Sequence, residues 1–327
     1  MENTKKKISE LNLQTSISLE LEEETIIMSL FQLKNGNHKG KLALLIQNGM
    51  ILIINLLTYK TDIKIEKTHD DQVNSLRQLN DSRLITSSSD KTIKIFSIEE
   101  NNYKLDQTLN GHTYDVFDCK ELSNNLLISC SNDGSIILWE KNAADNNYFL
   151  KEKINTSPDE ISEIEEINDN LIVTISVFDC VSQVSFWNLY PKFQLIKTIK
   201  NIETSGRDSY FKINDNLIGI VECEDLGINI IDVNKFEIIK TLKNVTPLDI
   251  VCNVKWGNHI LFSEGPYFRR DNTENYVREY KIVGENCDNL ELVSEIKMPF
   301  NEKDFPSVML IIDNTLILGF KDLKIYN

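Results

Sequence analysis

Residues 111 to 139 read GHTYDVFDCKELSNNLLISCSNDGSIILW, with His112 near the start and Trp139 at the end, 27 positions later. The same separation recurs upstream, where His69 lies 27 residues before Phe96. Each landmark moves by 43 between the two segments: His69 to His112, Thr86 to Ser129, Asp90 to Asp133, Phe96 to Trp139. A constant period of this length marks one supersecondary unit used more than once. The 27-residue gap matches three short strands and their turns, so the repeat bears on fold before function.

A fainter signature spreads further: LNDSRLIT at 79, LSNNLLIS at 122, INDNLIVT at 167, INDNLIGI at 213, WGNHILFS at 256 and IDNTLILG at 312. In each, an apolar residue precedes Asn, Asp or Gly and then a β-branched or leucine run, which reads as strand, tight turn, strand. A third strand follows each time, in the series GMILIIN, TIKIF, SIILW, QVSFWNL, GINIIDV, YVREYKI and DLKIY. MILII and SIILW are apolar on both faces, as strands sandwiched between two layers are. A fourth strand, such as KLDQTLNGH, FQLIKTIKN or FEIIKTLKN, leads into the next unit. Four short antiparallel strands repeated about every 45 residues predict an all-β fold, a seven-bladed β-propeller formed by residues 1–327 as a single domain.

The last unit supplies only three strands, SVMLII, TLILGF and DLKIY. An unpaired strand edge is something proteins avoid. The alternating stretch LNLQTSISLEL, residues 11–21, is predicted to become the outer strand of blade seven and close the ring, with residues 1–8 flexible.

Composition narrows the function. A hydrophobic share of 41% fills a core without staples. Six cysteines lie in apolar segments and never form CxxC, as expected of buried thiols in a reducing compartment, the cytoplasm or nucleus. No apolar run approaches the ~20 residues of a membrane span, and the N-terminus has no secretory core. A net charge of −15 weighs against direct nucleic-acid binding, because phosphates attract clustered Lys and Arg. HExxH, Cys/His clusters, phosphate loops and dinucleotide fingerprints are absent, so neither metal nor cofactor is expected.

The run from GH at 111 to NDGSIILW at 132 resembles a WD40 repeat, and THDDQVNSLRQLNDSRLITSSSDKTIKIF, its upstream neighbour, is similar. The Trp-Asp pair that names the family does not occur, since Glu140 follows Trp139 and Asn188 follows Trp187. The resemblance implies a buried hydrogen-bonded chain of His112, Asp133, Ser129 and Trp139. It implies a shorter one of His69, Asp90 and Thr86, because Phe96 has no N–H to donate. The blade carrying the shorter chain is expected to be looser. The remaining blades lack the histidine and are expected to rely on apolar stacking. A Ser-His-Asp hydrolase is set aside, because the serine falls on a buried strand with its hydroxyl engaged and no GxSxG elbow exposes it. His38 and His259 fall in turns on the opposite face.

If the strands of a blade are lettered a to d from the centre outward, the d-to-a connections and b-to-c turns share one face. Variable loops there are carried by a rigid frame. The sixth unit replaces its short b-to-c turn with EGPYFRRDNTENYVR, residues 264–278. Arg269 and Arg270 lie in it, Arg278 borders it, and Arg207 falls in the neighbouring connection. With Tyr267 and Phe268 they are candidate partner contacts, suited to an acidic or phosphorylated segment. Gln72, Ser89, Tyr114 and Asn132 flank the structural residues and are expected to line the same face. The expected function is a non-enzymatic scaffold or adaptor for other proteins, monomeric by itself, without nucleic-acid or membrane contact. A fixed subunit of a large assembly is the competing reading, and an enzyme using the central channel a third.

Overall fold

A computed structural model describes residues 13–19, 26–156, 160–178, 181–203, 210–221, 227–243, 250–264, 276–284, 287–297, 306–313, 315–320 and 322–326. Among these, every regular element is a β-strand. Contacts group the chain into two compact units, Met28–Ile202 and Met1–Ile27 with Glu203–Asn327. Strand β1 (Leu13–Ile17) belongs to the second of them.

The first unit carries blades one to four. Blade one is β2 (Ile27–Gln32), β3 (Leu42–Ile46), β4 (Ile51–Asn55) and β5 (Lys60–Ile65); blade two is β6 (Val73–Gln78), β7 (Leu84–Ser88), β8 (Thr92–Ile98) and β9 (Tyr103–Asn110). Blade three is β10 (Val116–Glu121), β11 (Leu127–Ser131), β12 (Ser135–Lys141) and β13 (Tyr148–Asn155); blade four is β14 (Ile161–Asn168), β15 (Leu171–Phe178), β16 (Val181–Asn188) and β17 (Gln194–Glu203). The second unit carries the other three. Blade five is β18 (Tyr210–Lys212), β19 (Leu217–Val221), β20 (Ile228–Asp232) and β21 (Glu237–Leu242); blade six is β22 (Ile250–Trp256), β23 (His259–Glu264), β24 (Tyr276–Val283) and β25 (Asn289–Lys297). Blade seven is β26 (Val308–Ile312), β27 (Thr315–Gly319), β28 (Leu323–Tyr326) and, on its outer edge, β1. Seven four-stranded antiparallel sheets give the fold class, a seven-bladed β-propeller.

Burial explains the sequence patterns. Strand b is covered on both faces in β3, β7, β11 and β19, which is why its residues run apolar or small instead of alternating. Strand d is the exposed one, as in β5 with only Ile63 and Ile65 buried. Among the described residues the register of strand d slips by one residue at the same place in five blades, opposite the pairs Ile53/Ile54, Ile95/Phe96, Leu138/Trp139, Ile230/Ile231 and Glu279/Tyr280. A bulge bends an edge strand and blunts it against pairing with other chains.

Within each unit apolar clusters fill the space between neighbouring sheets. In the first, Leu79, Ile85, Ile93 and Ile95 pack with Val116, Cys119, Ile137 and Trp139. In the second, Phe211 meets Phe262 edge-on, ring centroids 5.9 Å apart. Phe211 also lies against Gly219, where an added Cβ would stand 2.2 Å from its ring. Glycine is thus required there by close approach.

The N-terminal strand takes the expected place: β1 runs antiparallel to β28, with Leu13 opposite Tyr326 and Ile17 opposite Leu323. Beyond it the Leu19 N–H donates to Asp322 Oδ1 at 3.1 Å. In β1 only Ile17 is buried, so the strand contributes mainly by covering the edge of β28. Removing residues 1–21 is expected to lower the melting temperature by about 10 °C in differential scanning fluorimetry. An unchanged melt would mean that the β28 edge needs no cover.

Candidate functional site

The loops leading into strand a and the b-to-c turns of blades two and three carry the histidines and aspartates of the repeat. Strand alternation brings each histidine beside the aspartate of its own blade. In blade three, His112 Nε2 lies 2.8 Å from Ser129 Oγ, and the Trp139 indole N–H donates to the same oxygen at 2.9 Å. The indole can only donate, so the serine hydroxyl proton is left to serve His112 Nε2. Nδ1 then carries the imidazole proton and faces Asp133 Oδ1 at 3.3 Å and Ser135 Oγ at 3.0 Å. Asp133 accepts in addition from the Thr113 N–H at 2.8 Å, the Ser135 hydroxyl and Lys153 Nζ at 3.1 Å.

Blade two repeats the arrangement without the indole. His69 Nδ1 lies 2.8 Å from Asp90 Oδ2 and Nε2 lies 2.7 Å from Thr86 Oγ1. Thr92 takes the place of Ser135, donating to Asp90 Oδ1 at 2.6 Å. Blade four keeps the other half: the Trp187 indole donates to Thr174 Oγ1 at 3.0 Å. That bond lies outside the sequence expectation, which assigned blade four to apolar stacking alone. The signal was present in Thr174 and Trp187 at the matching strand positions.

Charge state follows from these contacts. Burial holds both imidazoles below the ordinary histidine value, with the aspartates opposing that only in part. For the aspartates, burial works against ionisation, but the hydroxyl, imidazole and N–H donors outweigh it. Asp90 is held at about 2, and Asp133 still further below the usual carboxylate range. A neutral imidazole donating to a carboxylate is a structural clamp with no nucleophile exposed.

Around the clamps the loops are zipped by backbone bonds, Ser89 N–H to Gln72 O at 2.8 Å and Asn132 N–H to Asp115 O at 2.9 Å. Gln72, Tyr114 and Asn132 are exposed and Ser89 is half-buried. Tyr114 stands 59% exposed, with Lys91 Nζ 5.4 Å from its ring centre. Of the arginine sector, Arg207, Tyr267, Phe268, Arg269 and Arg270 lie outside the described residues. Arg278 lies on β24, where its Nε donates to Glu295 Oε2 at 3.0 Å and its guanidinium sits 4.8 Å from the Tyr276 ring centre.

At the opposite end of the blades a second device recurs that the sequence reading missed. The side chain ending strand a accepts the first backbone N–H of the previous blade's a-to-b turn. Gln78 takes Lys34 N–H at 2.7 Å, Glu121 takes Asn80 N–H at 2.6 Å, and Glu166 takes Ser123 N–H at 3.0 Å. In the second unit Lys255 holds this position with reversed polarity and donates to the Ile213 carbonyl. Strands a are also stitched directly: Arg77 grips Asp118 through two bonds of 3.1 and 2.9 Å, and Lys120 reaches Glu165 at 2.8 Å. Although burial pushes Asp118 up, the guanidinium prevails and keeps it ionised. His38 is buried in the a-to-b turn of blade one, its Nε2 2.6 Å from the Glu99 carbonyl. His259 Nδ1 lies 2.7 Å from the buried Glu279 on β24. Neither faces a cluster able to hold a metal, and no such cluster occurs among the described residues. Cys119, Cys130, Cys252 and Cys287 are buried thiols, and burial pushes the Cys119 thiol up to about 12. Among the described residues no helix is long and apolar enough to cross a membrane.

Fold and clamps together define a propeller built in part from histidine-anchored repeats. The WD40 family model, the WD domain or G-beta repeat, matches residues 60–97 and 103–140. The crystal structure of the RRP9 WD40 repeats superposes on 97% of this chain and 99% of its own at a TM-score of 0.69 and 14% identity, a likeness of fold. The chain is a seven-bladed β-propeller in which two segments match the WD40 repeat. Among curated proteins it is similar to protein transport protein SEC13 of Yarrowia lipolytica, 37% identical over 83 residues, 24% of this chain and 28% of that one. The Schizosaccharomyces pombe sec13 gives 37% over 81 residues, 24% and 27%. DDB1- and CUL4-associated factor 10 of Xenopus laevis gives 29% over 115 residues, 35% and 25%. The chain thus spans little more than a quarter of the length of the SEC13 relatives it matches.

Two measurements check the clamps. Trp139→Phe is expected to cost about 1–2 kcal/mol in chemical denaturation, for the lost donor and a small void. Because both imidazoles have depressed folded values, their contribution is complete above about pH 6.5 and is lost as pH falls, when the unfolded chain takes up protons the folded one refuses. Melting temperature should therefore fall from about pH 7.5 to about pH 5.5, and less steeply in a His69→Gln plus His112→Gln double variant. Parallel curves would show that the histidines are not the source.

Proposed function

We propose that this chain is a non-enzymatic scaffold that holds a segment of another protein on the loop face of blades two and three. The observation that carries the reading is the pairing of rigid support with exposed side chains. The His-Asp clamps and backbone zips fix both loops, and Gln72, Ser89, Tyr114 and Asn132 are presented above them. Preorganised loops lose little entropy on binding, and an exposed tyrosine braced by a lysine is the kind of group that anchors interfaces. The relatives are proteins named for transport and for association with DDB1 and CUL4, which supports protein partners in general.

Arg207, Tyr267, Phe268, Arg269, Arg270 and Arg278 extend the proposal to an acidic or phosphorylated segment on charge grounds. The protein acts as a monomer in the cytoplasm or nucleus, where its buried thiols stay reduced. A fixed place in a large assembly is the second reading. Salt separates the two: stoichiometric partners that survive high-salt washing mean an assembly, and transient ones an adaptor.

Affinity purification with mass spectrometry should compare wild type with Tyr114→Ala plus Asn132→Ala, and with Arg269→Glu plus Arg270→Glu. Tyr114 is a candidate anchor, so its loss is expected to weaken the principal partner by about 30-fold, with an unchanged melt. Identical partners in identical amounts from the loop variant would end the reading, and from the arginine variant would remove the arginine sector from it.

A further inference from the structure

Blade one departs from the charge of the chain. The protein carries 35 basic and 50 acidic residues, yet residues 28–65 hold five lysines and a single acid, Asp62. That acid is occupied: Lys41 Nζ lies 2.6 Å from it, and the Lys41 ammonium holds its carboxyl below the usual range. Lys34 and Lys39 in the a-to-b turn and Lys60 at the start of β5 are exposed at the same end of the sheet. Among the described residues none of these three forms an ion pair. The exposed Glu99 and Glu100 of blade two bound the patch on one side, drawn close by the contact of His38 with the Glu99 carbonyl.

In the middle of these lysines stands the β4-to-β5 turn, Asn55–Lys60. Leu57 at its tip is 92% exposed, more than any other large apolar side chain described. The turn is braced, with Tyr59 N–H on Asn55 O at 2.8 Å and Leu57 N–H on Asn55 Oδ1 at 2.9 Å. Tyr59 sits at φ 56°. Left-handed backbone suits Gly or Asn, and Asn146 fills the same place in blade three at φ 59°. A bulky residue held there stores strain, which structures retain where a site needs that side chain. Phe236 occupies this position in blade five but is half-buried, and its turn bares no leucine.

We infer that this end of blade one is a second docking surface, and that its occupant is an acidic protein segment bearing a large apolar side chain that packs on Leu57 and Tyr59. Charge decides the occupant. A short acidic segment fits inside a basic island, with carboxylates over Lys34, Lys39 and Lys60. An anionic bilayer or nucleic acid presents a surface wider than the island and meets the rest of a chain of net charge −15. Two binding surfaces at opposite ends of the blades make the protein a bridge, and this one stands or falls independently of the loop face.

A random-peptide display library selected on the immobilised full chain, and counter-selected on a Leu57→Asp plus Lys39→Glu plus Lys60→Glu variant, tests the surface. Peptides specific to wild type should be net acidic with an apolar anchor. In fluorescence anisotropy they should lose about tenfold in affinity to Leu57→Asp alone, weaken as salt rises, and be indifferent to Tyr114→Ala. All these side chains are exposed, so melting temperatures of the variants should match wild type. Selected peptides without acidic bias, pools indistinguishable from those of the variant, or Leu57-dependent sedimentation with phosphatidylserine-rich vesicles that the peptides fail to match would overturn the proposal.

Discussion

A four-stranded sheet with apolar residues on both faces cannot stand alone in water. Much in this fold follows from giving such sheets neighbours within each unit. Leu42 to Ile46, Leu127 to Ser131 and Leu217 to Val221 are buried along their whole length. Burying one large aliphatic side chain contributes roughly 1.5–3 kcal/mol, and strands b and c supply several per blade. No polar contact described above approaches that sum. The matched repeats show how the chain enforces neighbours, because each begins in the outer strand of one blade and ends in strand c of the next. Residues 60–97 thus join β5 to β6, β7 and β8, and the same offset leaves one outer strand to be supplied from elsewhere. β1 supplies it.

Against that apolar background the polar clamps work by what they would cost if broken. A buried imidazole or carboxylate deprived of partners carries its full desolvation penalty, so a complete chain holds loops to strands more firmly than its net bond energy suggests. Completeness grades across the blades. Blade three has indole, hydroxyl, imidazole and carboxylate in series, blade two lacks the indole, and blade four has only indole and hydroxyl. The matched repeats are therefore those in which loop positions are tied by side-chain hydrogen bonds.

How far the sequence could be read follows from what kind of interaction writes it. Period and apolar pattern reveal strands because burial acts on every residue of them, and the third-strand series GMILIIN to DLKIY coincides with β4, β8, β12, β16, β20, β24 and β28. The edge strand at 13–17 was legible because three strands without a fourth leave a need. The caps made by Gln78, Glu121 and Glu166 were not, since Gln and Glu look like ordinary exposed residues until the register of the next blade is known. Aligned at the end of strand a they form a column in the first unit, and within the second unit Lys255 holds the same strand position with the opposite polarity and a carbonyl in place of an N–H. Arg77 and Asp118 stayed hidden for the same reason: 41 residues separate them, close to one period, and only neighbouring blades bring them together. The arginine-rich segment at 265–275 was visible as composition and lies outside the described residues.

The two ends of the blades solve the problem of rigid presentation in different ways. At the loop face, buried side chains reach out of the core to pin the connections, so exposed residues there are free to change without disturbing the frame. At the other end the turns are short, capped by their own Asn or Asp side chains and by the blade alongside, and rigidity comes from backbone geometry. Such a turn has little room for variation, and a residue that violates its preferred backbone must be supported by what surrounds it. Tyr59 violates it, and Asn55 and Asp62 hold the turn around it. Where a frame this tight still carries a strained tyrosine beside a bare leucine, the side chains, and not the turn, are what the position is built to present.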